Sequence, residues 1–312
     1  MKKARKEDHY LRVTAIGSAV LGCLGIGFTF ATGSQAILLD GLFNLAYCVA
    51  ALFTIKVARL IQRGEDEEFP FGYLAFEPLV NGLKGLMMLG VILFALVDAV
   101  ATILAGGHRI EAGLALIYGV GATLACCTLA LVARRAAKKT GSPLLQADAE
   151  NWMVNGAVSS AVLLGFIGIF VIEGTGAAFL TPYVDSILVI LVSLVSIAVP
   201  VRMAWRSLME LLARAPDADI VAGVRRSVEI STAELPVQDL FLRVLQYGRT
   251  QLVLVHVVLP EDYEVGSLQD LDAIQAKTQE ALSSLNKGSV LDMVFTANPA
   301  LGAPLTGTAK PR

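Results

Sequence analysis

Six long apolar runs constrain this chain more than any motif in it. They extend over Tyr10 to Ala31, Ser34 to Ala58, Leu79 to Leu104, Ala112 to Ala133, Met153 to Glu173 and Tyr183 to Met203. Each is close to the roughly 20 residues a helix needs to cross the hydrocarbon core of a bilayer. Lipid offers no partner to backbone N–H and C=O groups, so runs of this length have to be helical. Ionisable residues deep within them are few: Asp40 in the second, Lys84 and Asp98 in the third, and Asp185 in the sixth, which also carries Pro200 near its end. A mean hydropathy of +0.65 with 17% charged residues lies outside the range of ordinary soluble domains, which are about 25% charged. The first run exceeds the ~7–15 apolar residues of a secretory signal, so it is expected to stay as a helix.

Orientation follows from the Lys and Arg of the short loops, which are retained on the cytoplasmic side. Basic residues alternate with the spans. The amino-terminal segment has Lys2, Lys3, Arg5, Lys6 and Arg12, Arg59 and Arg63 follow the second span, Arg134, Arg135, Lys138 and Lys139 follow the fourth, and the sixth exits into Arg202, Arg206 and Arg214. The intervening loops carry only His108 and Arg109. Both termini are therefore expected in the cytoplasm, and the compact loops suggest a bacterial plasma membrane. A net charge of -2 gives no reason to expect a nucleic-acid partner. Cys23, Cys48, Cys126 and Cys127 lie in apolar runs without a CxxC pair, so neither a disulfide framework nor a thiolate zinc site is expected, and the thiols read as buried and inert.

After Pro216 the chain reads as a small globular domain to about residue 300. The β-rich runs Gln238 to Gln246 and Gln251 to Leu259 flank Tyr247-Gly248-Arg249-Thr250, a tight hairpin connection. Ser267 to Leu285 has the spacing of an amphipathic helix and leads to a strand at Ser289 to Phe295. With a helix ahead of the hairpin this makes an αββαβ domain. The organisation is thus an amino-terminal segment over residues 1–9, a six-helix membrane domain over 10–210, the small domain over 211–300 and a tail over 301–312. The Pro-, Gly- and Thr-rich stretch from Ala297 onward is expected to be disordered.

Ionisable and amide groups at membrane depth carry the functional argument, because each is costly there. Asp40 and Asn44 are four apart in the second span, so they share one helix face, and Asn151 and Asn155 repeat that spacing at the start of the fifth. Two such pairs on facing helices would surround a cation with one carboxylate and three amide oxygens, a set suited to hard cations. The asparagines serve equally well as interhelical hydrogen-bond partners. Lys84 shares a face with Glu77, seven residues earlier, and either pairs with it or snorkels to water, or else points at Asp40. Asp185 is either a residue of the helix start or part of a proton path. The run Glu65-Asp66-Glu67-Glu68 reads as a solvated acidic loop. There is no nucleophile with a base, no metal-hydrolase spacing and no phosphate-binding glycine loop, so no enzyme is expected.

These segments resemble the cation diffusion facilitator family over essentially the whole chain. Ile37-Leu-Leu-Asp40-Gly-Leu-Phe-Asn44 is similar to the family's second helix, where acidic or His residues four apart bind the metal. Asp148 to Gly156 is similar to the fifth helix, which completes that site. Phe69-Pro-Phe-Gly-Tyr-Leu-Ala-Phe-Glu77 resembles the family's His-x-Phe-Gly-x-x-x-x-Glu loop, Asp185-Ser-Ile-Leu its sixth-helix start, and Leu208 to Pro216 its linker to the cytoplasmic domain. The resemblance implies a six-helix transporter with a ferredoxin-like cytoplasmic domain, a homodimer, and export of a metal cation against protons.

This sequence departs from the family pattern at the ligands. Asp40, Asn44, Asn151 and Asn155 stand at the transport site, so three positions are neutral amides, which bind Zn²⁺ poorly. Mn²⁺, Fe²⁺, Mg²⁺ or a monovalent ion suits such a site better. The aligned second-loop positions are Asp66, Phe69 and Tyr73. Those of the cytoplasmic domain are Gln238, His256, Thr296 and Asn298, leaving His256 as the one potential ligand, although a lone His on a strand is ordinarily packed or hydrogen-bonded. Two functions follow as expectations: a cation exporter by proton antiport with Asp40 as the coupling carboxylate, or a non-transporting membrane scaffold. No cofactor is expected; the cation is the substrate.

Overall fold

A computed structural model describes residues 2–61, 63–140, 143–173 and 178–303. The helices of the apolar region are α1 (Lys2–Thr32), α2 (Gln35–Ile61), α3 (Phe76–Leu104), α4 (Ala112–Thr140), α5 (Pro143–Glu173), α6 (Thr181–Ser196) and α7 (Ala198–Leu211). Among the described residues, five stretches are long and apolar enough to cross a membrane: Arg12–Thr32, Gln35–Val57, Phe76–Leu104, Ala112–Lys139 and Ala178–Leu211. Within α5 the apolar stretch is Asn155–Ile169. The last span is written as two helices because the sequence breaks its ladder. Pro200 has no N–H for the carbonyl of Ser196, and α6 gives way to α7 at Ile197.

By its internal contacts the chain divides into two compact units, Met1–Arg59 with Val80–Trp205, and Leu60–Leu79 with Arg206–Arg312. In the first, Ile37, Ile92, Phe166, Ile169 and Val189 are fully buried, whereas Val97, Ile117, Leu124, Leu164 and Val195 turn outward. Apolar side chains on both the inside and the outside are what a bundle dissolved in lipid requires. Small residues set the closest helix approach. A Cβ on Gly25 would lie 2.7 Å from the Cα of Gly41 and 2.9 Å from the hydroxyl of Tyr118. Their absence lets α1 lie directly on α2 and leaves room for that phenol.

The second unit holds α8 (Ala218–Ser231), β1 (Asp239–Tyr247), β2 (Thr250–Val258), α9 (Leu268–Leu285), β3 (Ser289–Thr296) and α10 (Pro299–Gly302). The sheet order is β1-β2-β3. Antiparallel β1 and β2 close on Tyr247 opposite Thr250, with Gly248 at φ +57, a conformation tight hairpins demand. β3 returns parallel to β2 through α9, whose N-cap Ser267 accepts the Asp270 N–H. Alternation along β2 buries Val253, Val255 and Val257 against Val224, Val228 and Leu282, which gives the αββαβ arrangement its core.

Two expectations need correction. The chain is ordered beyond Ala297: Asn298 caps α10 by accepting the Ala300 N–H. Arg243 donates to the carbonyl oxygens of Gly302 and Ala303 at 3.0 Å each, while Gly302 sits against the Phe241 ring. Residues 304–312 lie outside the described residues. The cysteines are not uniformly buried either. All four are free thiols, but Cys23 and Cys127 are exposed and Cys48 is half-buried, because they fall on the outward face of their helices.

Candidate cation site

Asp40 lies in the middle of the bundle at 3% exposure. Its carboxylate accepts the Tyr118 hydroxyl of α4 at 2.6 Å and the Ser159 hydroxyl of α5 at 3.2 Å. One turn along α2, the Asn44 amide donates to the Asp40 backbone carbonyl at 2.9 Å and its oxygen accepts the Asn155 amide at 3.2 Å. Asn155 also donates to the Cys126 sulfur at 3.5 Å. At this level of the bundle α2, α4 and α5 are joined by polar groups, each satisfied by another, as burial in an apolar medium requires. Asn151 lies outside the described side chains.

Three of these groups were not apparent in the sequence. Ser159 continues the α5 stripe one turn beyond Asn155, which is the signal that could have found it. Tyr118 and Cys126 share a face of α4 but have no spacing relation to Asp40. Cys126, expected to be an inert thiol, instead borders the polar cluster, within 4.0 Å of the Ser159 hydroxyl. Among the described residues no group of three or more His, Cys, Asp or Glu comes together. Among the described residues the donor set is therefore one carboxylate with amide and hydroxyl oxygens and a single thiol.

A cavity of about 50 Å³ adjoins the cluster, lined by Ser18, Asn44, Tyr47, Lys84, Trp152 and Asn155 among others. The Lys84 ammonium stands over the Tyr47 ring, 5.0 Å from its centre, a cation–π contact. Lys84 thus faces the interior cavity, with a fixed positive charge beside the two asparagines, while Glu77 bonds elsewhere. Its carboxylate accepts Arg249 Nε at 3.3 Å, next to the hairpin turn whose Gly248 N–H donates to Glu210 at 2.9 Å.

Asp185, at 1% exposure, lies in the second turn of α6 and bonds the start of a neighbouring helix. It accepts the Ser34 hydroxyl at 2.6 Å and the Gln35 N–H at 2.7 Å, at the first turn of α2. The residues aligned with a second-loop metal site also come together, in another role. Asp66 accepts the Glu68 and Phe69 N–H groups and the Tyr73 hydroxyl at 2.6 Å, and Phe69, Tyr73 and Phe76 pack ring against ring. The phenol and the backbone donors hold the Asp66 carboxyl below its usual range, and Asp66 pushes the Tyr73 phenol above its own. In the C-terminal domain, His256 lies opposite Phe241 and Val294, Asn298 is spent as a cap, and no ligand set forms among the described residues.

Among the described residues, an apolar bundle with the Asp40 carboxylate and the two amides of Asn44 and Asn155 inside it, followed by a small αββαβ domain, is the build of a membrane cation carrier. The chain matches the cation efflux transmembrane domain over residues 11–212. It is 26% identical over 284 residues, 87% of this chain and 86% of the other, to an uncharacterized transporter of Synechocystis sp.. It is 23% identical over 293 residues, 92% and 98% of the two chains, to an uncharacterized transporter of Methanocaldococcus jannaschii. Against the magnetosome protein MamM of Paramagnetospirillum magneticum, the identity is 27% over 161 residues, 50% and 47% of the two chains. The chain belongs to the cation efflux, or cation diffusion facilitator, family. It is an integral membrane protein of a family of metal cation transporters.

Proposed function

We propose that the protein is a secondary transporter that exports a divalent cation of the Mn²⁺, Fe²⁺ or Mg²⁺ kind in exchange for protons, working as a homodimer in a bacterial inner membrane with both termini cytoplasmic. The observation that carries this reading is the setting of Asp40. A carboxylate buried in an apolar bundle and held, among the described residues, by the Tyr118 and Ser159 hydroxyls can trade those donors for a cation or for a proton. Occupancy by one excludes the other at the same oxygens, which is the condition for exchange. Asn44, Asn155 and Ser159 supply neutral oxygens around it, a donor set that favours hard cations over Zn²⁺.

The test is metal flux into vesicles containing the purified protein under an imposed pH gradient, with Asp40→Ala as control. Flux of Mn²⁺ or Fe²⁺ that exceeds that of Zn²⁺, moves protons the other way and vanishes in Asp40→Ala is the expected result. A native protein that carries no ion overturns the reading. One observation favours a second reading, a membrane scaffold without transport: the Lys84 ammonium brings a positive charge to the cavity beside Asn44 and Asn155. In that case Lys84→Gln leaves flux absent, whereas in a transporter the same change tightens divalent-ion binding.

A further inference from the structure

The polar groups at the start of α2 form a second cluster, separate from the one around Asp40. Ser34 is the N-cap of α2, its hydroxyl oxygen accepting the Ile37 N–H at 3.2 Å. The same hydroxyl donates to Asp185 of α6, which also takes the first N–H of the helix, that of Gln35. A carboxylate at a helix amino terminus meets both free N–H donors and the positive end of the dipole. The Gln35 side chain extends the knot: its amide donates to Asp98 Oδ2 at 2.6 Å and to Thr102 at 2.7 Å, both on α3. Its oxygen accepts the Ser186 hydroxyl of α6 at 2.9 Å. Beside it the His108 ring meets the Gly33 carbonyl at 2.6 Å, and the His108 N–H donates to Pro182 at 3.0 Å. Three helices are thereby tied at one end, fewer than two turns from Asp40.

We propose that Asp185 is a positioning residue for transport, pinning the start of α2 to α6 so that this end of the bundle stays shut over the Asp40 site and α2 pivots about the pinned end. The word transport rests on the reading above; the pinning does not. Its carboxylate binds two groups of α2 at once, one of them backbone, so the tie constrains the helix axis and not merely a side chain. Asp40 and Asn44 ride on that axis, and Cys126, fully buried against Asn155, lies at the site the pinned end covers.

Cys126 is therefore the reporter. In vesicles, a protein with Cys23→Ala, Cys48→Ala and Cys127→Ala keeps it as the only thiol, and a charged, membrane-impermeant methanethiosulfonate is added from either side. From the side on which α2 begins, Asp185→Asn raises the rate of Cys126 labelling on the order of tenfold, the population shift expected for loss of a charge-assisted tie. Asp185→Glu restores most of the closure, and labelling from the opposite side stays unchanged. Ser34→Ala, which removes one bond to Asp185 and the cap, gives a smaller rise from the same side and decides the matter if Asp185→Asn does not fold. Labelling unchanged in these variants, or raised equally from both sides as in a loosened fold, overturns the proposal. Labelling needs no ion movement, so a protein that carries nothing would sink the transport reading and leave the pinning standing.

Discussion

Asp40 and Asp185 belong to the same bundle and are almost equally buried, at 3% and 1% exposure, yet they are held in different ways. Asp185 takes a backbone N–H and a capping hydroxyl at the first turn of a helix. The backbone N–H is part of the fold and cannot leave without unwinding α2, and the hydroxyl is itself engaged as the helix cap. Asp40 takes two hydroxyls from other helices, and each can turn away by a side-chain rotation. A buried carboxylate whose donors are fixed holds helices together, and one whose donors can rotate away is free to change partners. The difference separates a structural acid from one able to bind a passing cation, although the two are alike in residue type and burial.

The largest expected effect tests that contrast directly. Asp40→Asn keeps the shape of the side chain and most of its hydrogen bonding but removes the charge, and metal flux in vesicles is expected to fall to background. Asp185→Asn, at an equally buried site, is expected to retain measurable flux while changing how the bundle closes. Equal loss in both variants would mean that the two acids do the same job.

Tyr118→Phe comes next. The phenol that competes with a cation for Asp40 is gone, so the empty site is under-bonded by ~1–3 kcal/mol. The KM for the transported ion should then fall by roughly tenfold. A rise in KM would show instead that the phenol oxygen ligates the ion. Ser159→Ala should move KM in the same direction by less, because its bond to Asp40 is 3.2 Å against 2.6 Å for Tyr118.

What the sequence revealed follows the same division. The spans were legible because lipid forces long apolar helices, and Asp40, Asn44 and Asn155 because their four-residue spacing marks one face. Tyr118 and Ser159 were not legible: they sit 78 and 119 residues from Asp40, and hydroxyl residues in apolar helices are too common to signal a partner. Lys84 is a related case. Its spacing put it on the face of Glu77 and left pairing, snorkelling or a turn toward Asp40 open; Glu77 bonds Arg249, 172 residues away, and Lys84 lines the cavity. Helical spacing reports which residues share a face, and says nothing of what that face meets. The order at Pro299–Gly302 escaped notice likewise, since it depends on Arg243 reaching two carbonyl oxygens from a strand.

Asp66 offers the smallest and most local form of the contrast, since it uses both kinds of donor at once: the Glu68 and Phe69 backbone N–H groups, and the rotatable Tyr73 phenol. The phenol is the first cause of its lowered pKa, and Asp66 is the first cause of the raised pKa of Tyr73. The signs give a window. The Asp66 contribution is complete above the usual carboxylate range and is lost as pH falls through its depressed value. The Tyr73 contribution is complete below the usual tyrosine range and is lost as pH rises through its elevated one. The brace is therefore intact across neutral pH, and its exposure to solvent keeps its effect on stability small. Asp66→Ala should return one tyrosinate titration, followed by ultraviolet difference absorbance against the native protein, toward the ordinary range. Asp66→Asn, which retains an acceptor but not the charge, should fall between the two. Superimposable alkaline titrations of native protein and Asp66→Ala would mean that the backbone donors alone hold this carboxylate and that the phenol contributes nothing to it.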